Sequence, residues 1–293
     1  MRVGIVGLGG VGGYIAASFS KAGIDVIGFA RGAHLEAIQN HGIEIVEDSE
    51  CWSQRVDTRH LEELDGFFEG SFDVVLFCVK SYDLEDSYKH IQSHIDKKTI
   101  LLSFANGVLN GDILRNLSES IVLDGCVYIL SHIAKAGKIS KEGKVFAAVF
   151  GGEKVAQDTL GSLFKKAQLR FKTPDNIEYA IWKKYIFISA FATLTSYYDT
   201  SIGYIYEYKR EEAKELLKEI AEVAKKKGID IEEEIQKALS IASGLPYDAS
   251  TSMYLDFKNK NKVELESLSG YIAHYKGVKT PLMQKMYGEL LKR

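Results

Sequence analysis

Three glycines near the start of the chain have the spacing of a nucleotide-binding turn. Gly7, Gly9 and Gly12 form a G-x-G-x-x-G pattern that follows the apolar run RVGIV and opens an amphipathic stretch. At a strand–turn–helix junction of this kind, N–H groups at the helix N-terminus bind a pyrophosphate, and glycines let the phosphates approach the backbone. The pattern therefore predicts a dinucleotide site formed by Gly7, Leu8, Gly9, Gly10, Val11 and Gly12.

The residues after the second predicted strand favour NADP(H) as the cofactor. NAD-binding proteins commonly carry Asp or Glu there, because a carboxylate holds the ribose 2′-hydroxyl. This sequence has FARG instead, and Arg31 lies nineteen positions after Gly12. A guanidinium pairs with a 2′-phosphate, which a carboxylate would repel. The alternative is that Arg31 is a solvated loop charge.

Two further polar residues follow apolar runs. Lys80 comes after FDVVLFCV, and Asn106 comes after TILLSFA. Ligands of open α/β sheets bind outside the carboxyl ends of the strands, so both side chains are candidates for a ligand site. The alternative for each is a solvated residue that ends a strand, and Asn106-Gly107 is also a typical turn pair.

The elements that position these residues define two domains. Residues 1–173 alternate amphipathic stretches with short runs that are apolar on both faces, which predicts an α/β fold with a Rossmann-type doubly wound parallel sheet. Residues 174–293 have helical periodicity and hardly any β-run, so we expect an all-helical second domain. Within that domain, Val263 to Gly277 predicts an amphipathic helix that Glu264 heads.

Composition excludes several other classes of protein. The 293 residues carry 37 Lys and Arg against 40 Asp and Glu, a net charge of −3, so nucleic acid is not the expected partner. No paired Cys/His spacing predicts a metal site, and we expect the three cysteines to be buried thiols. Neither a signal peptide nor a membrane span is expected, which favours a cytoplasmic protein, and a homodimer is compatible with the sequence.

Taken together, the segments GLGGVG, FARGAHLEAI, VKSYD, FANGV, IWKKYIF and TSMYLDFKNKNKVELESLSG resemble the ketopantoate reductase family along essentially the whole chain. The resemblance implies an NADPH-dependent 2-dehydropantoate 2-reductase that reduces a 2-oxo acid in a cleft between a Rossmann domain and a helical domain. It also implies that the glycine turn and Arg31 bind NADP, and that Lys80 and Asn106 line the nicotinamide and substrate crevice.

The same resemblance assigns residues of the helical domain. Lys184, two positions after Trp182, matches the general acid, Ser252 matches the residue that holds the substrate carboxylate, and Glu264 matches an acidic residue of the cofactor and active site. A lysine within an apolar helix suits the chemistry, since desolvation lowers the pKa of an ammonium and its charge stabilises a developing alkoxide. The alternatives are a snorkelling surface lysine, a helix cap for Ser252 and a helix-dipole role for Glu264.

The substrate is left open by four departures from the family pattern. The family pattern has amide side chains at four positions where this sequence has apolar ones. Two of them lie four and eight residues after the catalytic lysine, one precedes the glycine of the next loop, and one lies three residues before Ser252. The residues at these positions here are, in that order, Ile188, Ala192, Ile202 and Ala249. An apolar wall leaves substrate hydroxyl groups unpaired. Thr195 could restore one hydrogen bond.

The departures make a more apolar 2-oxo acid, or another ketone, as plausible a substrate as ketopantoate. An NADPH-binding redox sensor without turnover is the alternative from another class. An opine-type or 6-phosphogluconate-type dehydrogenase shares the two-domain plan, but the helical domain has no basic cluster for a phosphosugar.

Overall fold

The computed structural model describes residues 1–48, 50–66 and 69–293. The chain divides into two compact units, and each is described by itself. The first unit comprises Met1–Ala105 and Leu109–Ile177, and the second comprises Asn106–Val108 and Glu178–Arg293. The boundary expected after residue 173 stays a prediction. Nothing in the sequence predicts that Asn106 belongs to the helical unit.

The first unit is built on one sheet. The strands that the described residues form are β1 (Arg2–Val6), β2 (Asp25–Phe29), β3 (Ile43–Glu47), β4 (Glu50–Gln54), β5 (Asp57–Arg59), β6 (Val74–Phe77), β7 (Ile100–Ser103), β8 (Ile121–Lys135), β9 (Lys138–Gly151) and β10 (Phe171–Lys172). Their order is β4-β3-β9-β8-β7-β6-β1-β2-β5, and β10 pairs with β9. The α/β class is confirmed.

The sheet is mixed rather than wholly parallel. In the order β5-β2-β1-β6-β7-β8 each adjacent pair of strands is parallel. In contrast, β8 and β9 form a long antiparallel hairpin, and β3 pairs antiparallel with β4. The sequence prediction missed β4 because its residues are largely exposed, and it missed β5 because that strand has only three residues. Both therefore lack the apolar runs of the central strands. Cys51 of β4 is exposed, which corrects the expectation that it is buried.

Helices cover both faces of this sheet. They are α1 (Gly10–Lys21), α2 (Gly32–His41), α3 (Leu84–Ile91), α4 (Asn110–Leu117) and α5 (Lys154–Lys166). One hydrophobic core contains side chains of α1 and α5, and a separate core contains side chains of α3 and α4. Apolar side chains on both faces of the central strands therefore account for the doubly wound arrangement.

The second unit is helical, as its periodicity predicted. Its elements are α6 (Ile177–Tyr198, which begins on the last residue of the first unit), α7 (Ile202–Tyr208), α8 (Arg210–Lys226), α9 (Glu232–Gly244), α10 (Ser252–Lys258), a π turn (Glu266–Gly270), α11 (Tyr271–Ala273) and α12 (Pro281–Leu290). The helix predicted over Val263 to Gly277 is shorter than expected, because its helical residues start at Leu265, after Glu264, and stop at Ala273.

A buried carboxylate joins two helices of the second unit. Glu219 of α8 is 5% exposed, and its two carboxylate oxygens accept hydrogen bonds of 2.8 Å from the N–H groups of Leu282 and Met283. These donors belong to the first turn of α12, where helix N–H groups have no partner within the helix. A negative charge at this end of the helix is also favoured by the helix dipole.

We expect Glu219→Gln to destabilise the protein by about 1–3 kcal/mol, because an amide cannot replace both carboxylate oxygens as acceptors. Glu222→Gln, an exposed change on the same helix, is the matched control and should leave stability nearly unaltered. Urea unfolding measures both. Equal unfolding midpoints for the two variants would contradict this role of Glu219.

Candidate active site

The glycine turn joins β1 to α1 in a conformation that two of its glycines make possible. Gly7 has φ +92°, and its N–H donates to the Phe29 carbonyl at 3.0 Å. A Cβ atom on Gly12 would lie 2.0 Å from the Gly7 carbonyl oxygen and 2.8 Å from Cβ of Cys78. Burial raises the pKa of the Cys78 thiol to about 12, so a neutral group packs under the turn. Gly7 and Gly12 are therefore required by the backbone itself.

Gly9 has a different environment. A Cβ atom on Gly9 would meet nothing within 4 Å, whereas one on Gly10 would lie 2.6 Å from the backbone of Ser131. Helix α1 begins directly after Gly9, so its N-terminal N–H groups lie beside this open space. The arrangement fits a pyrophosphate, because phosphates can approach the backbone at Gly9 without a side chain in the way.

The turn lies at the same edge of the sheet as two of the predicted cofactor residues. Arg31 follows β2 and Lys80 follows β6, and these strands flank β1 with parallel registers. Parallel strands place their carboxyl ends at one edge. The Arg31 side chain is 83% exposed, with its guanidinium 3.7 Å from the Asp83 carboxylate, and Lys80 is partly buried. Their roles stay predictions.

Within the second unit, three of the predicted residues form a chain of hydrogen bonds. The Lys184 ammonium donates to Oδ1 of Asn106 at 3.2 Å, and Nδ2 of Asn106 donates to Oε2 of Glu264 at 3.3 Å. Glu264 is 3% exposed, whereas Lys184 is partly buried and not enclosed as we expected. The role of Lys184 stays a prediction, and so does the alternative of a snorkelling surface lysine.

The charges of this chain fix the orientation of the amide. An ammonium can only donate and an ionised carboxylate can only accept. The Asn106 side chain satisfies both partners only with its oxygen towards Lys184 and its nitrogen towards Glu264. The buried carboxylate thus gains a hydrogen-bond donor, and the ammonium gains an acceptor oxygen.

A π turn and two hydroxyl groups hold the Glu264 segment against α6. The Leu268 N–H donates to the Glu264 carbonyl at 3.1 Å, and the Leu268 carbonyl accepts from Ser189 at 2.6 Å and from Tyr185 at 2.9 Å. Burial raises the pKa of Tyr185, so its hydroxyl remains a donor. Sequence reasoning missed Tyr185 and Ser189. Both residues follow Lys184 on α6, but their sequence positions alone do not predict a contact with the segment after Glu264. That segment forms a π turn, a feature that is frequent at functional sites.

The structure corrects the expected substrate contact of Thr195. This residue is fully buried, and its hydroxyl donates to the Phe191 carbonyl at 2.7 Å and lies 2.8 Å from the Thr251 hydroxyl. No surface of Thr195 remains for a substrate. Thr251, not Ser252, caps α10 by accepting from the Tyr254 N–H at 3.3 Å, so the cap alternative for Ser252 is wrong. Ser252 is exposed, and its substrate role stays a prediction.

The four apolar replacements belong to, or pack on, the core of the second unit. Ala192 and Ile202 are each 3% exposed, and Ile188 and Ala249 are partly buried against the same core. None of these side chains can donate or accept a hydrogen bond. This part of the unit is therefore apolar where the family pattern has amides.

Two other features are absent from the described residues, a metal-binding cluster and a membrane-spanning helix. No group of three or more His, Cys, Asp or Glu side chains among those residues could hold a metal ion. No helix in the same ranges combines the length and the hydropathy that crossing a membrane requires.

The chain matches known protein families over most of its length. Residues 3–151 match the family described as ketopantoate reductase PanE/ApbA, and residues 176–293 match the C-terminal family of the same reductases. The chain therefore belongs to the ketopantoate reductase PanE/ApbA family of oxidoreductases, which confirms the resemblance of its motifs.

Individual relatives agree in length and fold. The uncharacterised oxidoreductase YkpB of Bacillus subtilis is 28% identical over 302 residues, covering 99% of this chain and 98% of that protein. The 2-dehydropantoate 2-reductase of Porphyromonas gingivalis W83 is 30% identical, with a TM-score of 0.84 and 99% of each chain covered. D-mandelate dehydrogenase, solved with NADH and anilino(oxo)acetate, has a TM-score of 0.91 at 20% identity, covering 100% of this chain and 98% of that one, and shares the fold.

Gly9 and Gly12 differ in the space around them, so an added methyl group should affect different properties of the protein. We expect Gly9→Ala to leave the free energy of unfolding within about 0.5 kcal/mol of the original, because its Cβ meets open space. It should weaken binding of the expected cofactor, NADPH, at least about tenfold. Gly12→Ala should instead destabilise the fold by about 1–3 kcal/mol or more, because its Cβ overlaps the Gly7 carbonyl. Thermal unfolding and fluorescence titration measure the two effects. Unimpaired NADPH binding by Gly9→Ala would contradict the site.

Proposed function

We propose that this protein is a nicotinamide-dependent reductase that converts a 2-oxo acid to a 2-hydroxy acid, with NADPH as its cofactor. The observation that carries the proposal is the hydrogen-bond chain from Lys184 through Asn106 to Glu264. A protein that only binds a dinucleotide has no need of an ammonium held in this way. Membership of the ketopantoate reductase family supports the same reaction class.

The first unit supplies the groups that would hold the cofactor. The open backbone at Gly9 and the N-terminus of α1 suit the pyrophosphate. The exposed guanidinium of Arg31, at the carboxyl end of β2, is the group that suits a 2′-phosphate and therefore favours NADPH over NADH. When bound, the nicotinamide supplies the hydride that reduces the carbonyl carbon.

The second unit supplies the proton and the charge that the reaction needs. The carbonyl oxygen becomes an alkoxide as its carbon is reduced, and an ammonium both donates a proton to that oxygen and stabilises its negative charge. The Lys184 ammonium is positioned by its hydrogen bond to Oδ1 of Asn106. Glu264 acts through Asn106, because it keeps the amide oxygen directed at the ammonium. Ser252 is proposed to bind the substrate carboxylate.

The apolar residues of the second unit favour a 2-oxo acid whose remaining part is apolar. Ile188, which is only partly buried, stands where the family pattern has an amide that bonds polar substrate groups, and a hydroxyl placed against it would lose its hydrogen bonds to water without replacement. D-mandelate dehydrogenase, which shares the fold, was solved with anilino(oxo)acetate and NADH. The fold is therefore compatible with substrates other than ketopantoate.

A matched pair of substrates tests the proposal. Ketopantoate and 3,3-dimethyl-2-oxobutanoate differ by one hydroxyl group. We expect NADPH oxidation with both and a kcat/KM that is about tenfold to a hundredfold higher for the compound without the hydroxyl, because an apolar wall leaves that group unpaired. Ile188→Asn should narrow the difference, and Ile241→Asn, an exposed change on α9, is the control.

Two results would contradict parts of this proposal. A preference for ketopantoate would overturn the apolar substrate class while leaving the reductase intact. Tight NADPH binding without turnover of any 2-oxo acid, aromatic ones included, would overturn the reductase and favour a dinucleotide-binding sensor.

A further inference from the structure

One histidine links the glycine turn to the hairpin formed by β8 and β9. His34 lies in the first turn of α2, three positions after Arg31. Its Nε2 atom is 2.8 Å from the Leu8 carbonyl oxygen, and its Nδ1 atom is 3.0 Å from the backbone nitrogen of Gly137. All of these residues belong to the first unit.

The two contacts fix the form of the imidazole ring. The Gly137 N–H can only donate, so Nδ1 must be the acceptor and carry no proton. Nε2 then carries the ring proton and donates it to the Leu8 carbonyl. The neutral ring therefore satisfies both partners, one with each nitrogen.

The hairpin end of this link is firmly held. Gly137 has φ +76°, and its carbonyl accepts from the Glu44 N–H at 2.9 Å. Its Cα also lies close to α2, since a Cβ atom there would come within 3.0 Å of Cβ of Ala37. The imidazole thus bridges two backbone segments of the first unit.

The bond to Leu8 sets the direction of the next N–H group. No peptide bond among the described residues is cis, so the Leu8 carbonyl and the Gly9 N–H point in opposite directions across a planar group. The carbonyl points at His34. The Gly9 N–H is consequently directed away from α2. Gly9 is also the residue whose added Cβ would meet no atom within 4 Å.

We propose that His34 is a positioning residue for dinucleotide binding, because it holds the Leu8 carbonyl and so presents the Gly9 N–H to the pyrophosphate. The inference rests on the proposed function, in which this turn binds a nicotinamide dinucleotide. NADPH and NADH share the pyrophosphate. Loss of His34 therefore weakens both cofactors to a similar extent, whereas loss of Arg31 weakens only the one with a 2′-phosphate.

The test compares variants of the full-length protein by titration with NADPH and with NADH. His34→Leu removes both hydrogen bonds, and His34→Gln keeps one donor and one acceptor. We expect His34→Leu to raise Kd roughly tenfold for each cofactor, the scale of one hydrogen bond to a charged group. His34→Gln should restore much of the affinity. The kcat at saturating NADPH should change little, so the effect should appear in the KM for the cofactor.

Two controls separate positioning from general damage. His41→Leu changes an exposed histidine in the last turn of the same helix and should leave both Kd values unaltered. Arg31→Gln should weaken NADPH and spare NADH. If His34→Leu does not fold, His34→Asn, whose side chain is too short to span both partners, takes its place with the same expectation.

Wild-type affinity of the His34→Leu protein, or a loss confined to NADPH, would overturn the role of His34. Failure of the unaltered protein to bind either dinucleotide would overturn the proposed function instead, so the two failures are distinguishable.

Discussion

The account depends on one amide shared between two opposite charges. Asn106 accepts from the Lys184 ammonium and donates to the Glu264 carboxylate, and no other orientation of its side chain satisfies both. The amide therefore links the ammonium to the carboxylate by one hydrogen bond to each. The consequences extend through the second unit. Segment Asn106–Val108 belongs to the second unit. In the π turn after Glu264, the Leu268 carbonyl accepts hydrogen bonds from Tyr185 and Ser189 of α6.

The first unit contains the glycine turn for which we propose a dinucleotide site. Gly7 and Gly12 make the turn possible, and Gly9 leaves its outer side open. The orientation of the turn is fixed by hydrogen bonds of its backbone, from Gly7 to β2 and from His34 to Leu8. In the proposed role of His34, a side chain of α2 orients the backbone that would bind the cofactor. The parallel order β6-β1-β2 brings Lys80 and Arg31 to the same edge.

Much of this was predictable because it is local or periodic. The strand–turn–helix junction, the central strands and the helices follow from short apolar runs and helical spacing, and Lys184, Asn106 and Glu264 were identified from motifs. We did not predict the antiparallel hairpin of β8 and β9 or the edge strands β4 and β5. The composition of a strand does not indicate which strand it pairs with, and edge strands lack long apolar runs. The environment of the Thr195 side chain was also not predictable from the sequence. Its spacing from Lys184 favoured a substrate contact, but tertiary packing with Thr251 buried it completely.

The most direct test of the central claim is chemical rescue of Lys184→Ala. If the ammonium donates the proton, removing it should lower kcat by about a hundredfold or more, since a positioned general acid contributes that much. Small primary amines should then restore NADPH-dependent reduction of the 2-oxo acid in proportion to the concentration of the added ammonium, with NADPH affinity unaltered throughout. A Lys184→Ala protein that turns over at the original rate without added amine would contradict the account.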